Sequence, residues 1–327
     1  MDEAALNIVF LDRATIPEQV ALPGFSFPHT LIEHDRTRPD QVAERICEAD
    51  IVISNKVAIN AEHLAGANRL RMIALAATGT DNIDLNECNR REIIVSNVRG
   101  YAVNSVPEHA MALIFALRRN LPAYHRSVAA GRWQQAAQFS YFDYPIRDLA
   151  GSTLGIVGRG SLGQAMAQLA GALGMRVQFA ARKDSAELPS DYTSFTHMLR
   201  SSDIISLHCP LNAQTRGMIG AAEFALMERK PLLINTARGG LVDELALVEA
   251  LRGGRISGAG FDAVSQEPPP ADHPFMSLLE LDNFILTPHI GWASLESVQT
   301  MVRQMTGNIE AFHRNDPRNV VAGFGAQ

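Results

Sequence analysis

The sequence is poor in cysteine and has no long hydrophobic stretch, and each absence excludes a class of protein. Its three cysteines, Cys47, Cys88 and Cys209, are widely spaced and form no CxxC pair. Neither a disulfide framework nor a metal site is therefore expected, and all three should be reduced thiols. The longest apolar run, residues 110–117, is far short of the roughly 20 residues that a transmembrane helix needs. Because the acidic start is also unlike a signal peptide, we expect a cytoplasmic protein that binds no membrane.

Basic residues are outnumbered and scattered. The chain carries 29 Lys and Arg against 35 Asp and Glu, a net charge of -6, and it has no basic run long enough to bind a phosphate backbone. A nucleic acid is therefore not an expected partner. Hydrophobic residues make up 46% and charged residues 20% of the chain, which is typical of a globular protein. Because 327 residues exceed the usual length of one domain, roughly 150 residues, we expect two domains.

Short β-branched or aliphatic runs alternate with segments of helical period, which is typical of α/β folds with parallel sheets. The predicted strands are Asn7–Leu11, Ile51–Ser54, Met72–Leu75, Ile93–Ser96, Thr153–Val157, Arg176–Ala180, Ile204–His208, Leu232–Asn235, Ser257–Phe261 and Phe284–Leu286. The predicted helices are Pro39–Ala49, Ala61–Gly66, Ser105–Arg119, Leu162–Leu173, Glu244–Leu251 and a final amphipathic helix from Leu295 to Phe312. The pattern indicates one α/β unit in roughly the first hundred residues and a larger unit after it. The final helix could return to pack on the first unit.

A glycine-rich turn directly follows one of these strands. Gly158-Arg159-Gly160-Ser161-Leu162-Gly163 matches GxGxxG, with strand Thr153–Val157 before it and a helix of small residues after it. The first glycine would make a tight turn, the second would let the backbone approach a pyrophosphate, and the third would allow close packing of helix and strand. The unpaired N–H groups at the start of the helix would bind the phosphates. The strand and helix favour a dinucleotide-binding domain over an ordinary Gly-rich turn.

The end of the next strand bears on the choice of dinucleotide. Many such domains place an acidic residue there, about 20 positions after the turn, to bind the ribose hydroxyls. Here the strand ends in Ala181, Arg182 and Lys183. Arg182 could grip a ribose 2′-phosphate and Lys183 could add a charge, so NADP(H) is predicted to be preferred, with NAD(H) possible. The alternative is that both cations are simply solvated.

Three segments that follow later strands carry polar residues with a common chemical use. They contain Arg238, Glu267 and His289, and ligands of open α/β sheets bind at the carboxyl ends of strands. Reduction of a 2-keto acid requires a cation that binds the carboxylate and polarises the carbonyl, and an acid that protonates the alkoxide. Arg238 suits the first task and His289 the second, while Glu267 would orient the imidazole and favour its charged form. Each residue alone has a structural alternative, such as a helix cap, a buried histidine or a solvated carboxylate.

Several motifs together resemble the D-isomer-specific 2-hydroxyacid dehydrogenase family over nearly the whole chain. They are Ala77–Asp84, Val106–Ala110, Gly158–Gly163, His208–Leu211, Thr236–Gly240, Glu267-Pro268 and Pro288-His289. Two further segments, Ser54–Val57 and Gly131–Gln135, are most similar to glycerate dehydrogenases, also called hydroxypyruvate reductases. The resemblance implies reduction of small 2-keto acids, above all hydroxypyruvate and glyoxylate, to D-2-hydroxy acids with NAD(P)H.

The resemblance also implies roles for individual residues. Arg238, Glu267 and His289 match the catalytic triad of the family, and the backbone N–H groups of Thr78 and Gly79 match those that bind the substrate carboxylate. The residues that match the surroundings of the nicotinamide and its ribose are Cys209, Pro210, Thr236, Ala237 and Asp262.

The architecture implied by the resemblance is two Rossmann-like, doubly wound parallel-sheet domains separated by an active-site cleft. Residues 1–101 and 292–327 would form a flavodoxin-like substrate-binding domain, and residues 102–291 the NAD(P)-binding Rossmann domain. Members of the family are usually dimeric through the region that matches the helix after Asn104, so a homodimer is implied.

Some alternatives stay open at this point. Asp262 could bind near the nicotinamide or only order the end of the sheet, and Trp292 is expected to pack under the domain hinge rather than close a substrate pocket. His208 and His109 are expected to satisfy backbone groups rather than to catalyse. The alternative function is a regulatory protein of the same fold that senses a dinucleotide, which the lack of long polar tails disfavours.

Overall fold

The computed structural model describes residues 5–183, 185 and 188–323. The chain divides into two compact units. The first unit joins the start of the chain, up to Tyr101, to the segment from Ser294 onward, and the second unit runs from Ala102 to Ala293. Each unit is built around a sheet of parallel strands with helices between them, which confirms the predicted α/β class.

The first unit contains a sheet with five parallel strands, all from the part of the chain before Tyr101. Its strands are β1 (Leu6–Phe10), β2 (His29–Glu33), β3 (Ile51–Ser54), β4 (Met72–Leu75) and β5 (Ile94–Ser96). They lie in the order β2-β1-β3-β4-β5, which is the flavodoxin-like order. Every residue of β3 and β4 is buried, because strands inside a parallel sheet are covered on both faces and are therefore apolar throughout.

Three short helices cover one face of this sheet. They are α1 (Val42–Ile46), α2 (Ala61–Leu64) and α3 (Leu85–Arg90). Their apolar side chains, such as Ile46, Leu64 and Cys88, join strand residues in one buried cluster. The side chains of Asn60 and Asp84 accept hydrogen bonds from backbone N–H groups three residues on and so fix where α2 and α3 begin.

The second unit contains a six-stranded parallel sheet. Its strands are β6 (Thr153–Val157), β7 (Arg176–Ala180), β8 (Ile204–Leu207), β9 (Leu232–Asn235), β10 (Gly258–Phe261) and β11 (Phe284–Leu286). The order across the sheet is β7-β6-β8-β9-β10-β11. A single parallel bridge between Ala180 and Thr193 adds the remnant of a strand beyond β7. With that remnant the order is that of the Rossmann fold, in which the direction of winding reverses between β6 and β8.

Helices cover both faces of the second sheet. They are α4 (Ser105–Arg118), α5 (Leu121–Ala129), α6 (Ser161–Ala172), α7 (Phe195–Ser201), α8 (Ala221–Ala225) and α9 (Glu244–Arg252). Alternate residues of the strands enter two separate cores: Ile204 and Ile234 pack with residues of α4 and α6, whereas Ile205 and Leu233 pack with residues of α7, α8 and α9. The unit is therefore doubly wound.

The last segment returns to the first unit. Helix α10 (Leu295–His313) packs against β4, and strand β12 (Val320–Ala322) pairs antiparallel with β5. The buried stripe of α10 includes Val298, Met301 and Met305. The return begins at Ser294, two residues after the position that the sequence predicts. Among the described residues, no helix is both long and apolar enough to cross a membrane.

Candidate active site

The glycine-rich turn packs tightly against the neighbouring strand end. Gly158 follows β6 with a φ of 102°, and a Cβ atom there would lie 2.4 Å from the carbonyl oxygen of His208. A Cβ on Gly163 would lie 2.0 Å from the carbonyl oxygen of Gly158. Both positions therefore require glycine, because these separations are far inside van der Waals contact. The turn lies beside the end of β8, at the point where the winding of the sheet reverses.

The start of α6 has no side-chain cap. Gly160 is the N-cap residue and offers no side chain to the backbone N–H groups of the first turn, which begins with Ser161 and Leu162. A Cβ on Gly160 would meet no atom within 4 Å, so the space over the helix start is open. Open N–H groups at the positive end of a helix suit a diphosphate.

Two polar atoms near this turn are buried without a partner among the described residues. They are Nδ1 of His208, after β8, and Oγ1 of Thr236, after β9. A buried polar atom without a hydrogen bond is costly, so both atoms favour a bound polar group at these strand ends. Together with the open start of α6, they show that the residues present fit a dinucleotide.

His208 differs from its expected role. Its Nε2 lies 2.8 Å from the hydroxyl of Ser206, a side chain rather than a backbone group. Burial lowers the pKa of His208 to about 4, so the ring is neutral near pH 7. Next to it, burial raises the pKa of the Cys209 thiol to about 11. Cys209 is therefore a protonated thiol near neutral pH, and it lies partly buried with Pro210 exposed beside it.

The two cations after β7 have different surroundings. Arg182 is exposed, and its side chain forms no ion pair or hydrogen bond with another described residue. Lys183 instead lies 2.9 Å from Oε1 of Glu223 and donates a 3.2 Å hydrogen bond to the carbonyl of Met218. Burial raises the pKa of Glu223, but the bonds from Lys183 and the Gly220 N–H outweigh it and leave that pKa lowered. Arg182 is thus the cation of this pair that is available to a ligand.

Arg159, within the glycine-rich turn, is held by its neighbours. Its guanidinium carbon lies 5.0 Å from the ring centroid of Phe179 and 5.3 Å from that of Tyr192. One guanidinium nitrogen lies 3.3 Å from Asp191. The Arg159 side chain therefore links the glycine-rich turn to the segment before α7. Only the backbone of Arg159 contributes to the turn itself.

The segment after β9 presents Arg238 from a rigid turn. Asn235, which is 1% exposed, accepts a hydrogen bond from the N–H of Ala237 and donates one to the carbonyl of Arg238. The next residue, Gly239, lies so close to the segment after β10 that a Cβ would be 1.9 Å from the carbonyl oxygen of Val264. The turns that carry Arg238 and Glu267 are therefore in direct backbone contact.

Glu267 and His289 form a hydrogen-bonded pair. Oε2 of Glu267 lies 2.7 Å from Nδ1 of His289, and Oε1 accepts a 3.1 Å hydrogen bond from the N–H of Val264. A carboxylate can only accept, so the shared proton belongs to Nδ1 and the ring orientation is fixed. The other nitrogen, Nε2, is left to exchange a proton with a substrate.

The backbone of His289 is held in an unusual conformation. Its φ is 55°, in the left-handed region that costs about 1 kcal/mol or more for a residue with a side chain. Asp262 accepts hydrogen bonds from the N–H groups of Ile290 and Gly291, and Trp292 donates its indole N–H to the carbonyl of His289 at 2.8 Å. These bonds offset the strain and hold the imidazole in place.

Asp262 is the centre of a buried network. It is 2% exposed and also accepts a 2.5 Å hydrogen bond from the hydroxyl of Thr287. Nε2 of His109, on α4, lies 2.9 Å from that hydroxyl and 3.4 Å from the carboxylate. Burial raises the pKa of Asp262, but the bonds from His109, Thr287 and the two N–H groups outweigh it and lower that pKa overall.

Asp262 was expected either to bind near the nicotinamide or to order the end of the sheet. The contacts described above are those that order the end of the sheet. His109 contacts two side chains, not the backbone group that the sequence predicts. Asn235 and His109 support the site, and the sequence predicts no role there for either residue. The available signal for Asn235 is an asparagine at the end of an otherwise apolar, buried strand.

Thr78 and Gly79 belong to the first unit and follow β4. The hydroxyl of Thr78 donates to the carbonyl of Val98 at 2.7 Å, and the Thr78 carbonyl accepts a 2.8 Å bond from the side chain of Asn97. Asn97 is in turn held by Asn308 of α10. These bonds give the loop a fixed conformation at the carboxyl end of the sheet.

Comparison with known proteins agrees with this site. The model of the NAD binding domain of D-isomer specific 2-hydroxyacid dehydrogenases matches residues 111–291. A glycerate dehydrogenase of Methylorubrum extorquens is 47% identical over 317 residues, covering 96% of this chain and 98% of the relative. A hydroxypyruvate reductase of Blautia hydrogenotrophica is 34% identical over 323 residues, covering 97% of this chain and 99% of the relative.

Among solved structures, an acyclic imino acid reductase in complex with NADPH and D-Arg is similar with a TM-score of 0.83 and 29% identity. The match covers 97% of this chain and all of that chain. Sequence and fold thus agree along nearly the full length, and the matched family binds a nicotinamide dinucleotide in the unit where the glycine-rich turn lies. The chain therefore belongs to the D-isomer specific 2-hydroxyacid dehydrogenase family and is an oxidoreductase.

Proposed function

We propose that this protein reduces small 2-keto acids to D-2-hydroxy acids, with hydroxypyruvate and glyoxylate as its main substrates and NADPH as its preferred cofactor. The observation that carries the proposal is the 2.7 Å contact between Glu267 and His289. It provides an oriented proton donor in the same unit as the dinucleotide turn. The turn that carries Arg238 is in backbone contact with the turn that carries Glu267.

The proton is delivered by His289. With Nδ1 bound to Glu267, the charged ring carries its second proton on Nε2 and can give it to the oxygen of the substrate carbonyl. The negative charge of Glu267 stabilises the positive ring before the transfer and keeps its orientation after it. In the reverse reaction, the neutral ring takes the proton from the hydroxyl group. The bound nicotinamide, when reduced, supplies the hydride.

Arg238 binds the substrate in this proposal. Its planar guanidinium can hold a carboxylate through two hydrogen bonds and polarise the adjacent carbonyl. Asn235 fixes the backbone on either side of Arg238, which limits the orientations that the side chain must search. Thr78 and Gly79 are proposed to donate backbone N–H groups to the same carboxylate. Two relatives are named for glycerate and hydroxypyruvate, which supports a small substrate.

The preference for NADPH rests on the charge at the end of β7. Ala181 stands where a carboxylate would bind ribose hydroxyls and repel a 2′-phosphate. Arg182 is exposed beside it. Among the described residues, none pairs with its side chain, and an unengaged guanidinium attracts a phosphate.

The proposed homodimer rests on an aromatic surface of the second unit, formed by Trp133, Phe139 and Phe142. These side chains are 53%, 88% and 77% exposed. They follow α5, which comes next in the chain after α4, the helix after Asn104 through which the resemblance to the family implies a dimer. Trp133 donates its indole N–H to the carbonyl of Phe139 at 3.0 Å. Large exposed aromatic groups are typical of surfaces that bind protein, and a second copy of this chain is the proposed partner.

One assay tests the proposed reaction. Purified protein is mixed with NADPH or NADH, each in parallel with glyoxylate, hydroxypyruvate, pyruvate and phenylpyruvate. Oxidation of the cofactor is followed by the loss of the absorbance of the reduced nicotinamide. We expect turnover on the order of 1 to 1000 per second with the two small hydroxy- or aldehyde-bearing acids. Turnover far below this range with every pair would contradict the proposal and favour a dinucleotide-sensing protein.

A further inference from the structure

We propose that Glu244, supported by His273, is a positioning residue that fixes the turn carrying Glu267. This inference rests on the proposed function, because it assigns Glu244 to the alignment of the same Glu267–His289 pair. Glu244 contacts neither Glu267 nor His289 directly. It acts through Ser265, in the turn that carries Glu267.

Both carboxylate oxygens of Glu244 are bound to one residue. Oε1 accepts a 2.7 Å hydrogen bond from the N–H of Ser265, and Oε2 accepts a 2.7 Å bond from its hydroxyl. Glu244 is the first residue of α9, and its side chain is 13% exposed. Two short bonds from a partly buried carboxylate fix both the position and the orientation of Ser265.

His273 holds the other side of the Glu244 carboxylate. Its Nδ1 accepts a hydrogen bond from the N–H of Phe275, so the proton of the neutral ring is on Nε2. That nitrogen lies 3.0 Å from Oε2 of Glu244, although the direction of the N–H falls outside hydrogen-bond geometry. The His273 side chain is 4% exposed, and its ring packs edge-on against Phe275 at 5.2 Å. The carboxylate is thus confined from two sides.

Ser265 is two residues before Glu267, within the turn that binds its carboxylate. Val264 donates its N–H to Oε1 of Glu267, and Oε2 binds His289. Gly239 presses against the backbone of Val264 and Ser265 from the side of Arg238. Bonds that fix the position of Ser265 also fix that of Val264, its neighbour in the chain. The N–H of Val264 then positions the Glu267 carboxylate for its hydrogen bond to His289. Loss of the Glu244 clamp therefore allows Glu267 to move away from the imidazole.

A purely structural role predicts different results. An acidic residue in the first turn of a helix stabilises the helix dipole by about 0.3–1 kcal/mol, so its loss would lower the melting temperature. Such a loss alone would leave turnover and its pH dependence unchanged in the folded protein. A positioning role predicts that turnover and pH dependence change together, because the imidazole loses its oriented carboxylate.

The test compares Glu244→Ala and Glu244→Gln with Glu249→Ala, a control on the exposed side of the same helix. We expect Glu244→Ala to lower kcat for keto-acid reduction by about 10- to 100-fold, as small misplacements do, with an unchanged dissociation constant for NADPH. The pH profile of kcat should change as well, because proton delivery depends on the orientation of the ring. Glu244→Gln keeps one acceptor for Ser265 and should recover part of the activity, and Glu249→Ala should equal the wild type.

Two further variants cover the case in which Glu244→Ala does not fold. Ser265→Ala removes one of the two bonds to Glu244, and His273→Asn removes its support, so each should show a smaller change of the same kind. If folded variants of Glu244, Ser265 and His273 keep the kcat and the pH profile of the wild type, the proposal is wrong.

A second readout separates this proposal from the proposed function. The Nδ1 proton of His289, which Glu267 accepts, is followed by NMR in the NADP-free protein, with His289→Gln to assign its signal, and the measurement needs no substrate. We expect Glu244→Ala to weaken or move this signal, because the hydrogen bond to Glu267 is no longer held in place. An absence of keto-acid reduction by the wild type would contradict the proposed function alone, whereas an unchanged signal would contradict the role of Glu244.

Discussion

The partly buried imidazole of His208 makes the folded state sensitive to mild acid. Burial lowers its pKa from 6.5 to about 4, so the unfolded chain binds a proton at a pH where the folded protein does not. The stability that depends on this difference is complete above pH 6.5 and is lost as the pH falls toward about 4. A pKa difference of one unit corresponds to about 1.4 kcal/mol. The free energy of unfolding that depends on His208 is therefore about 3 kcal/mol.

His208→Asn should remove this part of the acid sensitivity. Urea unfolding at about pH 7 and at about pH 4.5 gives the free energy of unfolding of the wild type and of the variant. The loss between the two conditions should be smaller in the variant. An equal loss in both proteins would show that His208 is not a source of the effect.

Arg182 should decide the cofactor preference by itself. Arg182→Ala is expected to weaken NADPH binding by about tenfold, the loss of one charge-assisted contact, and to leave NADH binding nearly unchanged. Lys183→Ala is the matched control and should have a smaller effect, because Lys183 is paired with Glu223. Dissociation constants from nicotinamide fluorescence measure both. Undiminished NADPH affinity in Arg182→Ala would refute the mechanism of preference.

The residues at the site could be predicted from the sequence only where chemistry leaves a recognisable pattern. The glycine-rich turn, and the Arg, Glu and His that follow three strands, are such patterns, and the structure brings Glu267 and His289 into contact. The side-chain partners of Lys183 and the support from Glu244 depend on which segments meet in space. No local spacing carries that information.

At the scale of the elements, the turns after β9 and β10 depend on one glycine. A Cβ on Gly239 would lie 1.9 Å from the carbonyl oxygen of Val264 and 2.4 Å from the N–H nitrogen of Ser265. Gly239→Ala must therefore push the Arg238 and Glu267 turns apart. We expect loss of most of the turnover, together with about 1–3 kcal/mol of stability, the usual cost of a steric clash in a packed site.

Gly171→Ala is the control for this variant. Gly171 lies in α6, where a Cβ would meet no atom within 4 Å. Alanine is the better helix former, so the variant should be more stable by up to about 1 kcal/mol with unchanged turnover. A Gly239→Ala enzyme with wild-type turnover and stability would show that the two turns do not need this contact.

Most strands are predictable because both faces of a parallel sheet are buried and the strands are apolar throughout. The predicted bounds of β3, β4, β6, β7, β9 and β11 equal the observed ones. Strand β2 was not predicted, because it is an edge strand whose residues are largely exposed and polar. Helices α3, α5, α7 and α8 were not predicted either, since five to nine residues display a helical period poorly. Strand β12 has three residues and is defined by its pairing with β5.

At the scale of the whole molecule, the aromatic surface predicts the oligomeric state. Replacing Phe139 and Phe142 together by Ser removes the two most exposed of its three aromatic side chains and so weakens the apolar contact that the proposed dimer would make. Light scattering coupled to size exclusion should give a dimer for the wild type and a monomer for the double variant. The circular dichroism spectra should agree, because both side chains are exposed. A monomeric wild type would contradict the proposed dimer.

Large-scale organisation was partly accessible from the sequence. Alternating apolar and helical segments predict two α/β units, and the length of the chain agrees with two domains. The return of the chain to the first unit, observed from Ser294, was implied by the resemblance to the family and not by the apolar pattern, because the pattern does not show which buried stripe meets which sheet. The amphipathic pattern of α10 shows that one face is buried but does not identify its partner, which here is β4.

The central claim is that His289, oriented by Glu267, delivers the proton during reduction of a 2-keto acid. The most direct measurement is the single-turnover rate of hydroxypyruvate reduction by wild type and His289→Gln, with the NADPH dissociation constant measured on the same samples. We expect a rate lower by about 100- to 10000-fold and a dissociation constant within about twofold of the wild type, because the residues proposed to bind the cofactor's phosphates and ribose are in other segments of the unit. An unchanged rate in a folded variant that binds NADPH would contradict it.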